Sequence, residues 1–214
     1  MPELPLIVKV CGITRPEDGL AALEAGADWL GFIRWPRSPR YLPLEDCLAL
    51  VHHLRMRASV PFESVGVYVD AERDLIEREA AAIGLDRIQL HGQEPPELAA
   101  ALSRPAIKAL RFKDAASLAL AEAYPGLDLL VDAWVESSPG GTGQAYDYGL
   151  LAGLTARRRV IVAGGLDAGS VGAVVAALRP WGVDVSSRVE TSPGVKEHDK
   201  MREFIGAARR AAKE

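Results

Sequence analysis

Eight times along this chain, a short run of aliphatic and β-branched residues is followed by a stretch with helical periodicity. No other feature restricts the fold as much. The strand-type runs are Ile7–Cys11, Trp29–Arg34, Ser64–Val69, Arg87–Leu90, Ala106–Leu110, Leu127–Asp132, Arg159–Ala163 and Val183–Ser186. Between and after them, the periodicity predicts helices over Pro16–Ala25, Leu44–Met56, Ala71–Ile83, Pro95–Leu102, Asp114–Ala123, Tyr146–Leu151, Ser170–Leu178 and His198–Ala212. Runs such as "IVKV" and "VIVA" are nearly continuous instead of alternating, the pattern of parallel strands covered on both faces. Eight βα units at a spacing of about 25 residues meet the needs of a (β/α)8 barrel, so the sequence predicts an α/β fold, a single TIM barrel over residues 1–214. The competing doubly wound sheet needs fewer strands and carries a glycine-rich fingerprint after its first; "VCGIT" supplies one glycine.

Local punctuation agrees with this reading. Thr14, Pro16 and Glu17 mark a helix start and Gly26 its end, while Asp70 stands before "AERD" as an N-cap and Gly84 follows the last periodic residue. The formal net charge of −4 is spread along the chain, without the concentrated basic face that a nucleic-acid partner requires. Arg157-Arg158-Arg159 is the one basic cluster and reads as a solvated loop. No apolar run is long enough to span a bilayer, no leader-like N-terminus is visible, and Cys11 and Cys47 show no metal or CxxC spacing. The expectation is a cytoplasmic protein with free thiols and no bound metal.

Barrels of this type build their sites from the βα loops at the C-terminal strand ends. The polar residues at or just past those ends are Cys11, Arg34, Asp70, His91, Arg111, Asp132, Ser186 and Ser187, with glycine loops at Gly140–Gly143 and Gly164–Gly165. The loops after strands seven and eight fall where such barrels bind phosphate, and glycine lets the backbone approach the anion. Asp132 leaves the apolar run "LDLLVD" for a loop rich in Gly and Ser, which puts its carboxylate at the barrel mouth. A thiol of lowered pKa can accept a proton and a carboxylic acid can donate one. Cys11 and Asp132 on opposite sides of a phosphate-anchored substrate therefore suit an isomerisation by proton transfer. Alone, Cys11 reads equally well as a small buried hydrophobe. Cys47 sits among helix leucines as packing, and Arg40 in "RSPRY" is either a bidentate carboxylate clamp or a solvated loop residue.

In order along the chain stand "KVCGIT", "GADWLGFI", "SPRY", "VGVYVD", "IQLHG", "LVDAWVESSPGGTG", "AGGL", "VDVSSRVE" and "SPGVKEHD". Together they resemble the phosphoribosylanthranilate isomerase family over essentially the whole length. The resemblance implies a (β/α)8 barrel of the ribulose-phosphate-binding type, often with an abbreviated fifth helix. It implies the cofactor-free Amadori rearrangement of N-(5-phosphoribosyl)anthranilate to 1-(2-carboxyphenylamino)-1-deoxyribulose 5-phosphate, a step of tryptophan biosynthesis. It implies Cys11 as general base, Asp132 as general acid and Arg40 as the group that holds the anthranilate moiety. Gly141, Gly143, Gly164, Gly165, Ser186 and Ser187 would form the phosphate and ribose end, and Gln89, His91 and Asp184 fall in family motifs near the mouth. The implied partner is a small-molecule substrate, with neither nucleic acid nor membrane, and both monomer and homodimer remain compatible.

Two positions depart from the family pattern. Arg188 stands where glycine is usual, either strained at a positive φ or adding a phosphate contact, and Arg34 replaces an apolar residue. Rival readings are weaker. An indole-glycerol-phosphate synthase needs catalytic Lys and Glu at strand tips, whereas Lys9 falls two residues short of one and Lys108 lies inside strand five. A histidine-pathway isomerase would carry an aspartate in place of Cys11. A non-catalytic phosphate-binding barrel would have no use for both Cys11 and Asp132.

Overall fold

A computed structural model of the protein describes residues 5–112, 115–133 and 148–213. Eight parallel strands close into a barrel in sequence order: β1 (Ile7–Cys11), β2 (Trp29–Ile33), β3 (Glu63–Tyr68), β4 (Arg87–Leu90), β5 (Ala106–Phe112), β6 (Asp128–Ala133), β7 (Val160–Ala163) and β8 (Gly182–Val185). The seam is the β1–β8 pairing, with Lys9 opposite Asp184 and Val10 opposite Val185. The helices are α1 (Pro16–Glu24), α2 (Leu44–Arg57), α3 (Arg73–Ile83), α4 (Pro96–Ala100), α5 (Ala115–Glu122), α6 (Tyr148–Thr155), α7 (Val171–Leu178) and α8 (His198–Ala211). Among the described residues no helix is long and apolar enough to cross a membrane.

The alternation of side chains along each strand sorts the apolar residues into two cores. One set, including Val8, Val10, Leu30, Phe32, Leu129, Val131, Val160 and Val162, packs outward against the helices. The other, Trp29, Val65, Ile107, Ala109, Leu130, Ile161 and Ala163, fills the barrel interior. Both faces are covered, which is why the strands read as continuous apolar runs. At the N-terminal end, Trp29 and Trp181 meet edge to face at 5.2 Å. Arg87 lies over Trp29 and Arg159 over Trp181, with Asp128 held between the two guanidiniums. That plug leaves the opposite end for chemistry.

Several local expectations are corrected. Asp70 is not the cap of α3; it adopts a left-handed conformation (φ 50°) and accepts a hydrogen bond from the Gln93 N–H at 2.6 Å. Helix α3 starts at Arg73, with Glu72 at the N-cap. Thr14 does not cap α1 either, since its hydroxyl donates to the Gly194 carbonyl. The arginine run is a turn with Arg157 and Arg159 exposed, as read, but its side chains are also engaged. Arg158 donates to the carbonyls of Ala121, Tyr124 and Leu127, Arg159 pairs with Asp128, and Arg157 pairs with Glu122. Helix α6 occupies Tyr148–Thr155, later than predicted. After β8 the chain forms a 3-10 turn (Ser187–Val189) and then an unforeseen hairpin, β9 (Glu190–Ser192) with β10 (Val195–Lys196).

Candidate active site

At the C-terminal end of the barrel a cavity of about 850 Å³ opens among Cys11, His91, Asp132, Gly165, Asp184 and Ser186, and Gln89, Gly164, Ser187 and Arg188 also line it. The structure thus gathers most of the sequence-predicted positions from β1, β4, β6, β7 and β8 around one space. Gly141 and Gly143 lie outside the described residues.

Cys11 ends β1 facing inward and is nearly inaccessible, as is Lys9 two residues earlier on the same face. The Lys9 ammonium donates to Asp184 Oδ1 across the barrel seam at 2.9 Å. Gly31, opposite Cys11 on β2, makes room for both groups. A Cβ there would stand 2.8 Å from Cys11 Sγ and 3.2 Å from Lys9 Nζ. Burial pushes the thiol pKa up and Asp184 adds to this, while the Lys9 and Lys196 ammonium groups pull it down; the net shift is upward.

The backbone beside Cys11 is held from the hairpin. Lys196 Nζ donates to the carbonyls of Cys11 (2.6 Å) and Ser186 (3.2 Å) and to Glu190 (2.8 Å), which ties the ends of β1 and β8 together. Glu190 also receives Nε and Nη2 of Arg40, so one edge of that guanidinium is committed. The Arg40 stem lies directly over Gly12, whose positive φ (76°) and missing Cβ permit the approach. Arg40 does not line the cavity itself. For Glu190, burial acts upward, but the hydrogen bonds from Arg40 and Lys196 outweigh it and its pKa is lowered.

Across the cavity Asp132 stands one residue from the end of β6, opposite Arg111 in the β5 register. Burial raises its carboxyl pKa above the ordinary range, with His91 opposing and Asp184 assisting the shift. His91 is lowered by burial against the pull of Asp132, so it is neutral at pH 7. Its Nδ1 meets the Gln89 amide nitrogen at 2.9 Å, while the other end of that buried amide has no hydrogen-bond partner among the described residues.

The loops after β7 and β8 form the remaining wall. Gly164 (φ 95°) and Gly165 (φ 67°) turn the chain through conformations that favour glycine. The Arg188 guanidinium lies about 4 Å from where a Gly165 Cβ would stand, and makes no ion pair among the described residues. Arg188 has no positive φ, so the strained reading of that position is set aside. Arg34 belongs to neither wall. It is buried outside the barrel, paired with Glu79 through Nε and Nη2 at 2.9 Å and bonded to the Leu42 carbonyl.

Sequence reading weighed Lys9 only as a rival synthase's catalytic lysine, and it passed over Lys196 and Glu190. For Lys9 a signal existed, because a charge inside an apolar parallel strand, two residues before Cys11, must share its face. Lys196 and Glu190 belong to the unforeseen hairpin. Among the described residues, no group of three or more His, Cys, Asp or Glu side chains is placed to hold a metal ion.

Comparison with known proteins adds to this geometry. Residues 8–207 match the family model described as N-(5'-phosphoribosyl)anthranilate (PRA) isomerase. An N-(5'-phosphoribosyl)anthranilate isomerase of Pelobacter propionicus is 42% identical over 208 residues, covering 97% of each chain. Among solved structures, phosphoribosylanthranilate isomerase of Thermotoga maritima, as monomers generated from a dimeric enzyme, superposes with a TM-score of 0.83 at 34% identity, covering 95% of this chain and 98% of that one. A phosphoribosylanthranilate isomerase in complex with reduced 1-(o-carboxyphenylamino)-1-deoxyribulose 5-phosphate superposes with a TM-score of 0.85 at 33% identity and the same coverage.

Proposed function

The chain belongs to the N-(5'-phosphoribosyl)anthranilate isomerase family, and from that premise we propose that Cys11 and Asp132 perform the proton transfers of its aldose-to-ketose rearrangement. The observation that carries this reading is the single mouth cavity with a thiol on one wall, a carboxyl on the other and a pair of glycine and serine loops beside them.

Asp132, kept protonated more readily by burial, gives its proton to the furanose ring oxygen, and the C1–O bond breaks to leave a protonated Schiff base. The iminium acidifies the C2 hydrogen, and the Cys11 thiolate removes it to give an enolamine. The proton on Cys11 returns to C1 as Asp132 takes the C2 hydroxyl proton, which forms the ketone and restores both groups. Arg40 holds the anthranilate carboxylate through Nη1, the nitrogen that Glu190 leaves unused. Gly164, Gly165, Ser186 and Ser187 accept the phosphate, as Gly141 and Gly143 would from the sixth loop, and Arg188 adds a charged contact at the rim. Gln89, through its unpartnered amide end, and Asp184 face the ribose hydroxyls, with neutral His91 beside Asp132. Two free thiols fit the cytoplasm, and the dimeric relative makes a homodimer the assembly to test by sedimentation.

The test follows fluorescence loss while the labile substrate is generated in place. Cys11→Ser and Asp132→Asn should each lower kcat by about 10²- to 10⁴-fold with the fold intact. Near-wild-type turnover in either variant removes that residue's role.

A further inference from the structure

Burial serves the two proposed proton-transfer groups unequally. It favours the protonated acid that Asp132 must supply, and it opposes the thiolate that Cys11 must form. Near neutral pH Cys11 therefore rests as the thiol, the form that cannot take a proton. Any fixed charge that favours its thiolate raises the share of enzyme that can act.

Of the positive charges near Cys11, Lys9 is the one the structure leaves available for this purpose. Lys9 is wholly buried inside the barrel and two residues from Cys11 on the same strand face. Its Nζ and the Cys11 Sγ converge on the space that Gly31 leaves open. Asp184 anchors the ammonium at 2.9 Å, and its presence keeps Lys9 protonated in spite of burial. The other charges that reach Cys11 are Lys196 from the hairpin, committed to two carbonyls and Glu190, and Arg40 from the β2–α2 loop, committed to Glu190. Among the described residues, Lys9 alone combines full burial and a single ionic partner with a place beside the thiol over Gly31.

We infer that Lys9 is a positioning residue for the reaction, its ammonium serving as the built-in counter-charge against which Cys11 forms its thiolate, with Asp184 holding that charge in place. This deepens the reading of Cys11 as the base and rests on it. Lys9 itself touches no reacting atom in the scheme above. Asp184 thereby gains a second task besides facing the ribose.

The test reads thiol ionisation without turnover. The rate of Cys11 alkylation by iodoacetamide is measured against pH, with peptide mass mapping to separate Cys11 from Cys47. Lys9→Met should slow alkylation at pH 7.5 by about 10- to 100-fold and move its midpoint to higher pH, while Lys9→Arg stays near wild type. A residue that merely packs gives the opposite sign, because loosening the site exposes the thiol and speeds its reaction. An unchanged or faster rate with an unmoved midpoint in Lys9→Met overturns the inference. Should Lys9→Met not fold, because Asp184 is left buried without its partner, Lys9→Met/Asp184→Asn is compared with Asp184→Asn. Slower alkylation in the double variant supports the role of Lys9, and equal rates overturn it. The two readings fail separately: an inactive Cys11→Ser with an unmoved Lys9→Met midpoint removes only Lys9, and an active Cys11→Ser removes the base itself.

Discussion

Replacing Gly12 by alanine tests the wall behind the thiol, because two distinct costs can be separated there. The first is conformational. Gly12 sits at φ 76°, where a residue with a Cβ loses about 1–2 kcal/mol. The second is steric, since the new Cβ would stand 2.6 Å from Arg40 Cδ and 3.2 Å from Ser186 Oγ. Arg40 cannot yield freely, because Nε and Nη2 are both held by Glu190, a carboxylate almost wholly buried. Displacing Arg40 leaves Glu190 with Lys196 as its remaining cationic partner. Breaking a fully buried pair costs about 3–5 kcal/mol, and the partial exposure of Arg40 together with the retained lysine reduces this to about 1–2 kcal/mol. The sum, about 2–4 kcal/mol, corresponds to a Tm lower by about 4–16 °C at this chain length. Urea unfolding of Gly12→Ala, Arg40→Ala and the double variant measures the coupling directly. With Arg40 truncated, Gly12→Ala should cost only its conformational share. Strict additivity would refute the argument, because it would mean that Arg40 is not what Gly12 makes room for.

Arg34→Met alone leaves Glu79 without its cation and should cost about 2–4 kcal/mol in urea unfolding, whereas Arg34→Met/Glu79→Met should recover most of the loss. Asp132 has a folded-state pKa raised by burial, so its ionised form costs stability as pH rises through that value. Asp132→Asn should therefore melt above wild type at pH 7 in calorimetry, with the gap closing as the solution is acidified. Glu190 behaves in the opposite sense. Its lowered pKa contributes stability above the ordinary glutamate range, and this is lost on acidification through the folded value, so Glu190→Gln should flatten the acid limb of the stability curve. Arg188→Ala should raise KM by about 5- to 20-fold with kcat unchanged, an effect that shrinks in high salt.

The barrel was legible because its physics is repetitive. Strands covered on both faces must be apolar throughout, and runs such as "VIVA" announce this without any partner in view. Cys11 and Asp132 could be located because a strand tip in such a barrel faces the site whatever else surrounds it. The supports of the site were hidden for the opposite reason. Arg40 finds Glu190 across 150 residues, and Lys196 reaches Cys11 across 185, pairings that no local pattern encodes. The hairpin that delivers them is two and three residues per strand, too short for periodicity to show. Asp70 satisfied every local rule for a helix cap, yet the next loop took its carboxylate instead. Arg158 looked solvated in the sequence because its acceptors are backbone carbonyls from other segments.

The central claim is that the thiol of Cys11 removes the C2 hydrogen of the opened sugar, and the fate of that hydrogen tests it most directly. With substrate carrying deuterium at C2, Cys11→Ser should turn over far more slowly than wild type and show a large primary isotope effect on kcat, because C–H cleavage has become the slow step. A Cys11→Ser enzyme that matches the wild-type rate and shows no isotope effect would contradict the account.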